Sequence, residues 1–446
     1  MTPIVAIVGR PNVGKSTLFN RLIGEQRAIV LDTPGVTRDR HYGEATYDDQ
    51  AFTVVDTGGF EPEAVDGVVG SMRRQAMMAI EEADLVIFVV DGRDGLTPSD
   101  QDVADILRRS ERPVLVAVNK VDGPRQDAML AEFYGMSAWE PIAISAAHGR
   151  GIDILLEHIV EGVPRVEAAE VDETITRVAL VGRPNVGKST MTNRLLGEDR
   201  MIVDSTPGTT RDAIDAALSV GDREYVLVDT AGLRRSRGID RRSSEGHSVV
   251  RTLRAVDRCH VAVLLLDATE GITEQDARIA GLVDEKGRGL VVVVNKWDAI
   301  ERDEKTAKAF AEQIELKIPF VHYAPVLYLS GLTGLKVPRL LEAVDRVRAA
   351  QQLRIGTGEL NRWLDKCLQR HQPPIVGHRR VKLYFATQVS TVPPTIMISC
   401  NHVDGVHFSY QRYLVNQFRD AFDVLGTPVR LVFRTRGERR EEEDEA

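Results

Sequence analysis

Cysteine is scarce: Cys259, Cys367 and Cys400 are the only three in 446 residues. Their odd number and wide separation exclude a disulfide framework and the paired spacing of a zinc site, so all three read as structural or incidental. No apolar run approaches the roughly 18 residues of a membrane span, and no early stretch joins a basic start, an apolar core and a cleavage site. The expectation is a cytoplasmic protein with no membrane association. Aromatic residues make up only 5%, but the 43% hydrophobic and 28% charged content is that of an ordinary soluble globular protein. Histidine is sparse too, and His247, His402 and His407 read as packed or exposed imidazoles rather than catalytic ones.

What the chain does hold is a repeat. The run Gly9-Arg10-Pro11-Asn12-Val13-Gly14-Lys15-Ser16-Thr17 recurs as Gly182-Arg183-Pro184-Asn185-Val186-Gly187-Lys188-Ser189-Thr190, 173 residues on. Each copy follows a short apolar run (4–8 and 178–181) and opens onto helix-compatible sequence, the context in which G-x-x-x-x-G-K-[ST] cradles phosphate. Glycine lets backbone N–H groups crowd around phosphate oxygens, and the helix N-terminus adds positive potential. Lys15 and Lys188 are expected to reach the outer phosphates, with Ser16 and Ser189 on Mg²⁺.

Other landmarks share the offset. Asp56-Thr57-Gly58-Gly59 becomes Asp229-Thr230-Ala231-Gly232, and Thr37-Arg38-Asp39 becomes Thr210-Arg211-Asp212. Asn119-Lys120-Val121-Asp122 returns as Asn295-Lys296-Trp297-Asp298 at an offset of 176, which places an insertion of three residues between the landmarks. The period is far longer than that of stacked repeats, so this is a duplicated domain. The expected organisation is a first domain over 1–163, an acidic linker over 164–176, a second domain over 177–350, a third unit over 351–436 and a charged tail over 437–446.

Within each copy, Val-, Ile- and Leu-rich runs at 52–55, 85–90, 114–118 and 142–144, matched at 225–228, 261–266, 290–294 and 326–329, alternate with amphipathic stretches. That pattern predicts an α/β fold, a parallel sheet with helices on both faces. Ligands in such sheets bind at the carboxyl ends of strands, where these motifs begin. The Asn-Lys-x-Asp element selects the base: Asp122 and Asp298 can accept from guanine N1–H and the 2-amino group, donors that adenine lacks. GTP and GDP are the expected ligands.

The full set resembles the signature of the translation-factor-like GTPases. The resemblance implies that Thr37 and Thr210 contact metal and γ-phosphate, that Asp56 and Asp229 hold Mg²⁺ through water, and that Gly59 and Gly232 sense the γ-phosphate. It also assigns Ser145-Ala146 to the base, with Ser330-Gly331 as a departure in the second copy. The usual water-orienting glutamine is replaced by Phe60 and Leu233, so the positive charge that hydrolysis needs must come from elsewhere. Asn12 and Asn185 carry carbonyl oxygens suited to a monovalent cation, an arrangement similar to the potassium-assisted GTPases of the Era, TrmE and EngA group, and K⁺ is expected there. An arginine finger from a partner, or Arg38 and Arg211 in cis, is the alternative.

The third unit is basic: residues 351–440 carry a net charge of +8 against −12 for residues 1–350. That is the electrostatic footprint of nucleic-acid contact. Its periodicity predicts helix 359–368, strand 380–387, strand 395–400, helix 410–422 and strand 429–434, an α+β order like a KH fold. The phosphate-clamping Gly-x-x-Gly turn is missing, since Gly356-Thr357-Gly358 has the wrong spacing. Arg379, Arg380, Lys382, Arg412, Arg434 and Arg436 are candidate RNA contacts. A further basic cluster, Arg234, Arg235, Arg237, Arg241 and Arg242, follows the second Asp-Thr-Ala-Gly, whereas its counterpart carries Glu61, Glu63 and Asp66. The expectation is that this second switch docks on the basic module or on RNA.

Two tandem GTPase domains followed by a KH-like unit resemble the EngA (Der) family, from residue 4 to about 436 and including Pro373-Pro374, Tyr384-Phe385-Ala386-Thr387-Gln388 and Gly426-Thr427-Pro428-Val429-Arg430. The resemblance implies a monomer that binds the large (50S) ribosomal subunit and its rRNA during maturation, under nucleotide control. A P-loop small-molecule kinase and a nucleotide-sensing scaffold with one non-hydrolysing copy are the competing readings.

Overall fold

The computed structural model describes residues 2–24, 42–48, 50–56, 80, 83–110, 112–123, 129–136, 139–164, 175–197, 201–202, 215–230, 249–301, 305–373, 375–376 and 379–435. Two sheets carry the duplicated part. In the first, β1 (Ile4–Val8), β2 (Tyr42–Tyr47), β3 (Gln50–Asp56), β4 (Leu85–Asp91), β5 (Val114–Asn119) and β6 (Pro141–Ala143) lie in the order β2-β3-β1-β4-β5-β6. The second holds β7 (Thr176–Val181), β8 (Met201–Ile202), β9 (Ala216–Val220), β10 (Arg223–Val228), β11 (Val261–Asp267), β12 (Gly289–Asn295) and β13 (Val326–Tyr328), in the order β13-β12-β11-β7-β10-β9-β8.

The central strands are parallel, as their composition predicts, and every residue of β4, β11 and β12 is buried. Strands covered on both faces have no polar side to alternate with, hence their continuous apolar runs. The sheet edges depart from the parallel expectation: β2 runs antiparallel to β3, and β9 antiparallel to both β10 and β8. β2 carries no signal in the sequence because Tyr-Gly-Glu-Ala-Thr-Tyr has no apolar run, and only its Gly43 and Ala45 are buried.

On one face of the first sheet, Leu18, Phe19 and Leu22 of the helix Lys15–Gly24 join Leu155, Leu156 and Ile159 of the helix Ile152–Gly162 in one core. Met191 and Leu195, with Leu340, Val344 and Val347, repeat that core in the second copy. This packing fixes the phosphate-loop helix against the sheet. The registers bring Asp91 opposite Asn119 and Asp267 opposite Asn295, so the two loops that follow each such pair of strands leave side by side.

The chain forms two compact units, one of residues 1–171 with 245–257, the other of 172–244 with 258–446. In the first, Asp84 accepts the Ile4 N–H at 2.9 Å and the Arg254 guanidinium at 2.8 Å. The second contains the C-terminal module, in which β16 (Leu383–Thr391) pairs antiparallel with β17 (Pro394–Cys400) and β17 pairs parallel with β18 (Arg430–Thr435). The helices Thr357–Arg370 and Phe408–Ala421 cover that sheet, with Trp363 edge-on to Phe418 at 5.4 Å. The expected αββαβ order is present. The strand expected from 380 begins at Leu383 instead, after a short hairpin of β14 (Ile375–Val376) and β15 (Arg379–Arg380). Asn401 breaks the run by binding the Arg380 C=O through Nδ2 and the Lys382 N–H through Oδ1.

Backbone bonds join this module to the second GTPase copy. Leu290 N–H donates to the Gly426 C=O at 2.7 Å, and Gly426 N–H to the Tyr323 C=O at 2.9 Å. Gly426 has a φ of +70°, and a Cβ there would lie 2.2 Å from Val347 Cγ2, so only glycine serves. Beneath it the buried Tyr323 donates to Asp284 at 2.6 Å, with the Arg419 guanidinium 4.4 Å from its ring centre. Burial raises the pKa of Asp284 and lowers that of Arg419. All three cysteines are free thiols and buried.

Candidate nucleotide-binding sites

Each site is built around one asparagine. Asn119, the last residue of β5, donates through Nδ2 to the Val13 C=O at 2.8 Å and accepts the Ala146 N–H on Oδ1 at 2.9 Å. Asn295 repeats this with the Val186 C=O at 2.7 Å and the Gly331 N–H at 3.0 Å. One buried side chain thus clamps phosphate loop to base loop, and a hydrogen bond at each end of its amide offsets the cost of burying it. Gly14 and Gly187, at φ of +95° and +97°, leave room for it: a Cβ at either would stand 2.4 Å from the asparagine Nδ2. A Cβ at Gly331 would come within 3.1 Å of Met191 Cε and 3.3 Å of the Met191 backbone, a tight approach that the glycine relieves.

The lysines curl over their own loops. Lys15 Nζ donates to the Gly9 and Arg10 carbonyls at 2.9 and 3.0 Å, and Lys188 Nζ to those of Gly182 and Arg183 at 2.7 and 2.6 Å. Ser16 Oγ lies 2.7 Å from Asp56 Oδ2, which brings together two oxygens of the kind that Mg²⁺ takes. In the second copy Asp229 has a φ of +59°, and its N–H donates to Asp215 at 3.1 Å. Asn12 and Asn185, both exposed, sit in the left-handed region at φ of +67° and +65°. These residues fit a magnesium nucleotide: backbone donors in a tight loop, an ammonium at its mouth, and a hydroxyl–carboxylate pair beside it in the first copy.

Around the base position, Asp122 Oδ1 accepts from Ser145 Oγ at 2.8 Å and Oδ2 pairs with Arg93. The Ser145 bond, and then Arg93, hold the Asp122 carboxyl below the usual range. Asp298 differs, since its Oδ1 is buried with no hydrogen-bond partner among the described residues.

The motif residues have partners that the sequence reading does not name: Asp91, Arg93, Asp94 and Asp100, with Asp267, Glu270 and Asp276 in the second copy. Lys120 Nζ bridges Asp91 Oδ2 at 2.5 Å and the Asn12 C=O at 2.9 Å, and Lys296 reaches Asp267 at 2.6 Å. Burial works against ionisation of Asp91, but the Lys120 ammonium and the Arg93 N–H hold its carboxyl below its ordinary value. Arg10 pairs with Asp94 at 2.7 Å and lies 3.5 Å from Asp100; Arg183 meets Glu270 and Asp276 in the same way. The signal was present: Asp91-Gly-Arg-Asp-Gly-Leu-Thr97 and Asp267-Ala-Thr-Glu-Gly-Ile-Thr273 stand at the same offset of 176.

Thr37, Thr57, Gly58, Gly59, Thr210, Ala231 and Gly232 lie outside the described residues, as do Phe60, Leu233, Arg38, Arg211, the basic cluster at 234–242 and Arg436. Of the candidate RNA contacts, Arg380, Lys382, Arg412 and Arg434 are exposed. No described helix is long and apolar enough to cross a membrane.

The family model described as 50S ribosome-binding GTPase matches residues 4–120 and again 177–296, and the one described as KH-domain-like of EngA bacterial GTPase enzymes, C-terminal, matches 354–434. The GTPase Der of Geotalea daltonii is 49% identical over 440 residues, covering 99% of this chain and all of its own length. That of Moorella thermoacetica is 50% identical over 437 residues, covering 98% and 99%. A solved structure of Era in complex with MgGDPNP and a 16S ribosomal RNA segment is matched over 60% of this chain and 96% of its own, at 20% identity and a TM-score of 0.29, too slight to add to the assignment. With both copies, the KH-like module and nearly the whole length accounted for, the chain belongs to the EngA/Der family of tandem GTPases: it binds guanine nucleotide and hydrolyses GTP.

Proposed function

We propose that both copies bind Mg²⁺-GTP and hydrolyse it, and that their nucleotide state sets domain arrangement and attachment to the large (50S) ribosomal subunit and its rRNA during maturation, in the cytoplasm and as a monomer. The observation that carries two complete sites is the paired asparagine clamp of Asn119 and Asn295, which ties phosphate loop to base loop in both copies. In each site the loop from Gly9 or Gly182 presents backbone donors to the phosphates. Lys15 and Lys188 exchange their carbonyl partners for phosphate oxygens, and Asp122 and Asp298 read the base. Ser16, Thr37 and Asp56, with Ser189, Thr210 and Asp229, hold Mg²⁺, which neutralises charge on the β- and γ-phosphates when bound.

The attachment is supported by the 50S ribosome-binding description of the GTPase family model and by the basic, KH-like third unit with exposed Arg380, Lys382, Arg412 and Arg434. Sedimentation with isolated subunits tests it. The chain is expected to travel with 50S subunits in a non-hydrolysable GTP analogue and to be released in GDP; equal recovery in both nucleotides would remove nucleotide control.

Asn12 and Asn185 are the proposed K⁺ ligands, since no glutamine follows either Asp-Thr-x-Gly element. A fixed positive charge at the β–γ bridge is worth about tenfold or more in rate. Turnover is therefore expected to rise by at least about tenfold when KCl replaces NaCl. Equal rates would return the role to an arginine.

A further inference from the structure

The two sites share one framework but differ where the loop after the fourth strand meets the base reader. Asp91-Gly92-Arg93-Asp94 makes three links: Asp91 to Lys120, Asp94 to Arg10, and Arg93 to Asp122. The corresponding Asp267-Ala268-Thr269-Glu270 keeps the first two, through Lys296 and Arg183. The third link is gone. Thr269 turns back onto its own loop, donating through Oγ1 to Asp267 Oδ1 at 2.7 Å, and Asp298 Oδ1 is left buried and unpartnered among the described residues.

A guanine base brings two donors, N1–H and the 2-amino group, and needs both carboxylate oxygens. In the first copy Oδ1 accepts the Ser145 hydroxyl at 2.8 Å, with His148 Nε2 3.9 Å away, and Oδ2 carries the Arg93 guanidinium. Arg93 is 58% exposed, so it can leave without disturbing the core, but its pair with Asp122 has to break first. In the second copy the equivalent Thr269 is engaged with Asp267, so no arginine pair of this kind has to break.

Resting on the assignment of Asp122 and Asp298 as base readers, we propose that Arg93 is a built-in competitor of the base, a residue that makes the first site take up guanine nucleotide more slowly and hold it more weakly than it would with the threonine of the second. The scale is that of one exposed ion pair, about two- to fivefold in affinity. The duplication thus yields one reader guarded by an arginine and one without that guard in a single chain, and the guarded site is the one set to respond to nucleotide levels.

The test uses the full chain carrying Asp298→Asn, so that GDP is held at the first site alone, and measures the association rate and affinity of a fluorescent GDP with Mg²⁺ present. Adding Arg93→Thr is expected to speed association and tighten binding by about two- to fivefold. Arg93→Lys, which keeps the cation, is expected to stay near the parent values, a rescue that a packing role for the arginine would not show. In the converse chain carrying Asp122→Asn, Thr269→Arg should slow association and weaken binding at the second site. Unchanged or weaker binding in Arg93→Thr overturns the proposal, the latter because it would mean that the guanidinium supports the base. If Asp122→Asn leaves GDP binding at two sites, the base-reader assignment fails and takes the competitor with it. That outcome is distinct from a failure of Arg93 alone.

Discussion

Asp122→Asn is expected to turn the first site from guanine to xanthine nucleotides, lowering GDP affinity there by about 10²- to 10⁴-fold while raising that for xanthosine diphosphate by a similar factor. The carboxylate is an acceptor at both oxygens, which suits the two N–H donors of guanine. An amide puts an NH₂ where one acceptor was, so a donor faces the 2-amino group of guanine. Xanthine has a carbonyl at that position and restores the match. Asp298→Asn is expected to do at least as much at the second site, where Oδ1 is buried without a partner and a wrong ligand leaves a polar group unpaired. Calorimetry reads both results as stoichiometry: each single variant should bind one GDP, and the double variant none. Two GDP per chain in either single variant would remove that aspartate from base recognition.

The second large effect belongs to the phosphate-loop lysines. Each ammonium is already held at the loop mouth by two backbone carbonyls, so it reaches phosphate by a short exchange of partners rather than by ordering a free side chain. Removing one fixed donor to developing charge costs about 10²- to 10³-fold in turnover of that site. Lys15→Ala should therefore abolish the first copy's share of phosphate release, Lys188→Ala the second's, and the double variant nearly all of it. The residual rates of the single variants then apportion turnover between the copies. A chain in which one substitution leaves the rate untouched would hold a copy that binds without hydrolysing. Because Lys188 is buried, Lys188→Met, which keeps the aliphatic stem, is the control for folding.

How much of this was legible in residues depended on how local the cause was. The glycines and lysines of the phosphate loop act through backbone conformation and a few neighbours, so their spacing carried the reading. Buried parallel strands likewise announce themselves as apolar runs, as in Val261–Asp267 and Gly289–Asn295. Edge strands did not: Tyr42–Tyr47 is held by pairing with Gln50–Asp56, and only its Gly43 and Ala45 are buried. The Arg10–Asp94 and Lys120–Asp91 bridges join segments 84 and 29 residues apart, and no local pattern states which charge meets which. The 176-residue echo could have flagged the loop, but not its partners.

The same division holds for the joint between the basic module and the second copy. Composition marked the module, and its alternation gave the order of helices and strands. That Gly426 bonds with Leu290 and Tyr323, over a buried Asp284–Tyr323–Arg419 cluster, depends on surfaces that exist only once both parts have folded. By itself, the order of residues determined that there are two phosphate-loop motifs, two Asn-Lys-x-Asp elements and a basic third part, because each of those is a short-range constraint on backbone or charge. Tertiary structure alone decided that one asparagine clamps each site and that Arg93 guards only the first Asp122, because close packing selects a few contacts from the many pairings that separation along the chain allows.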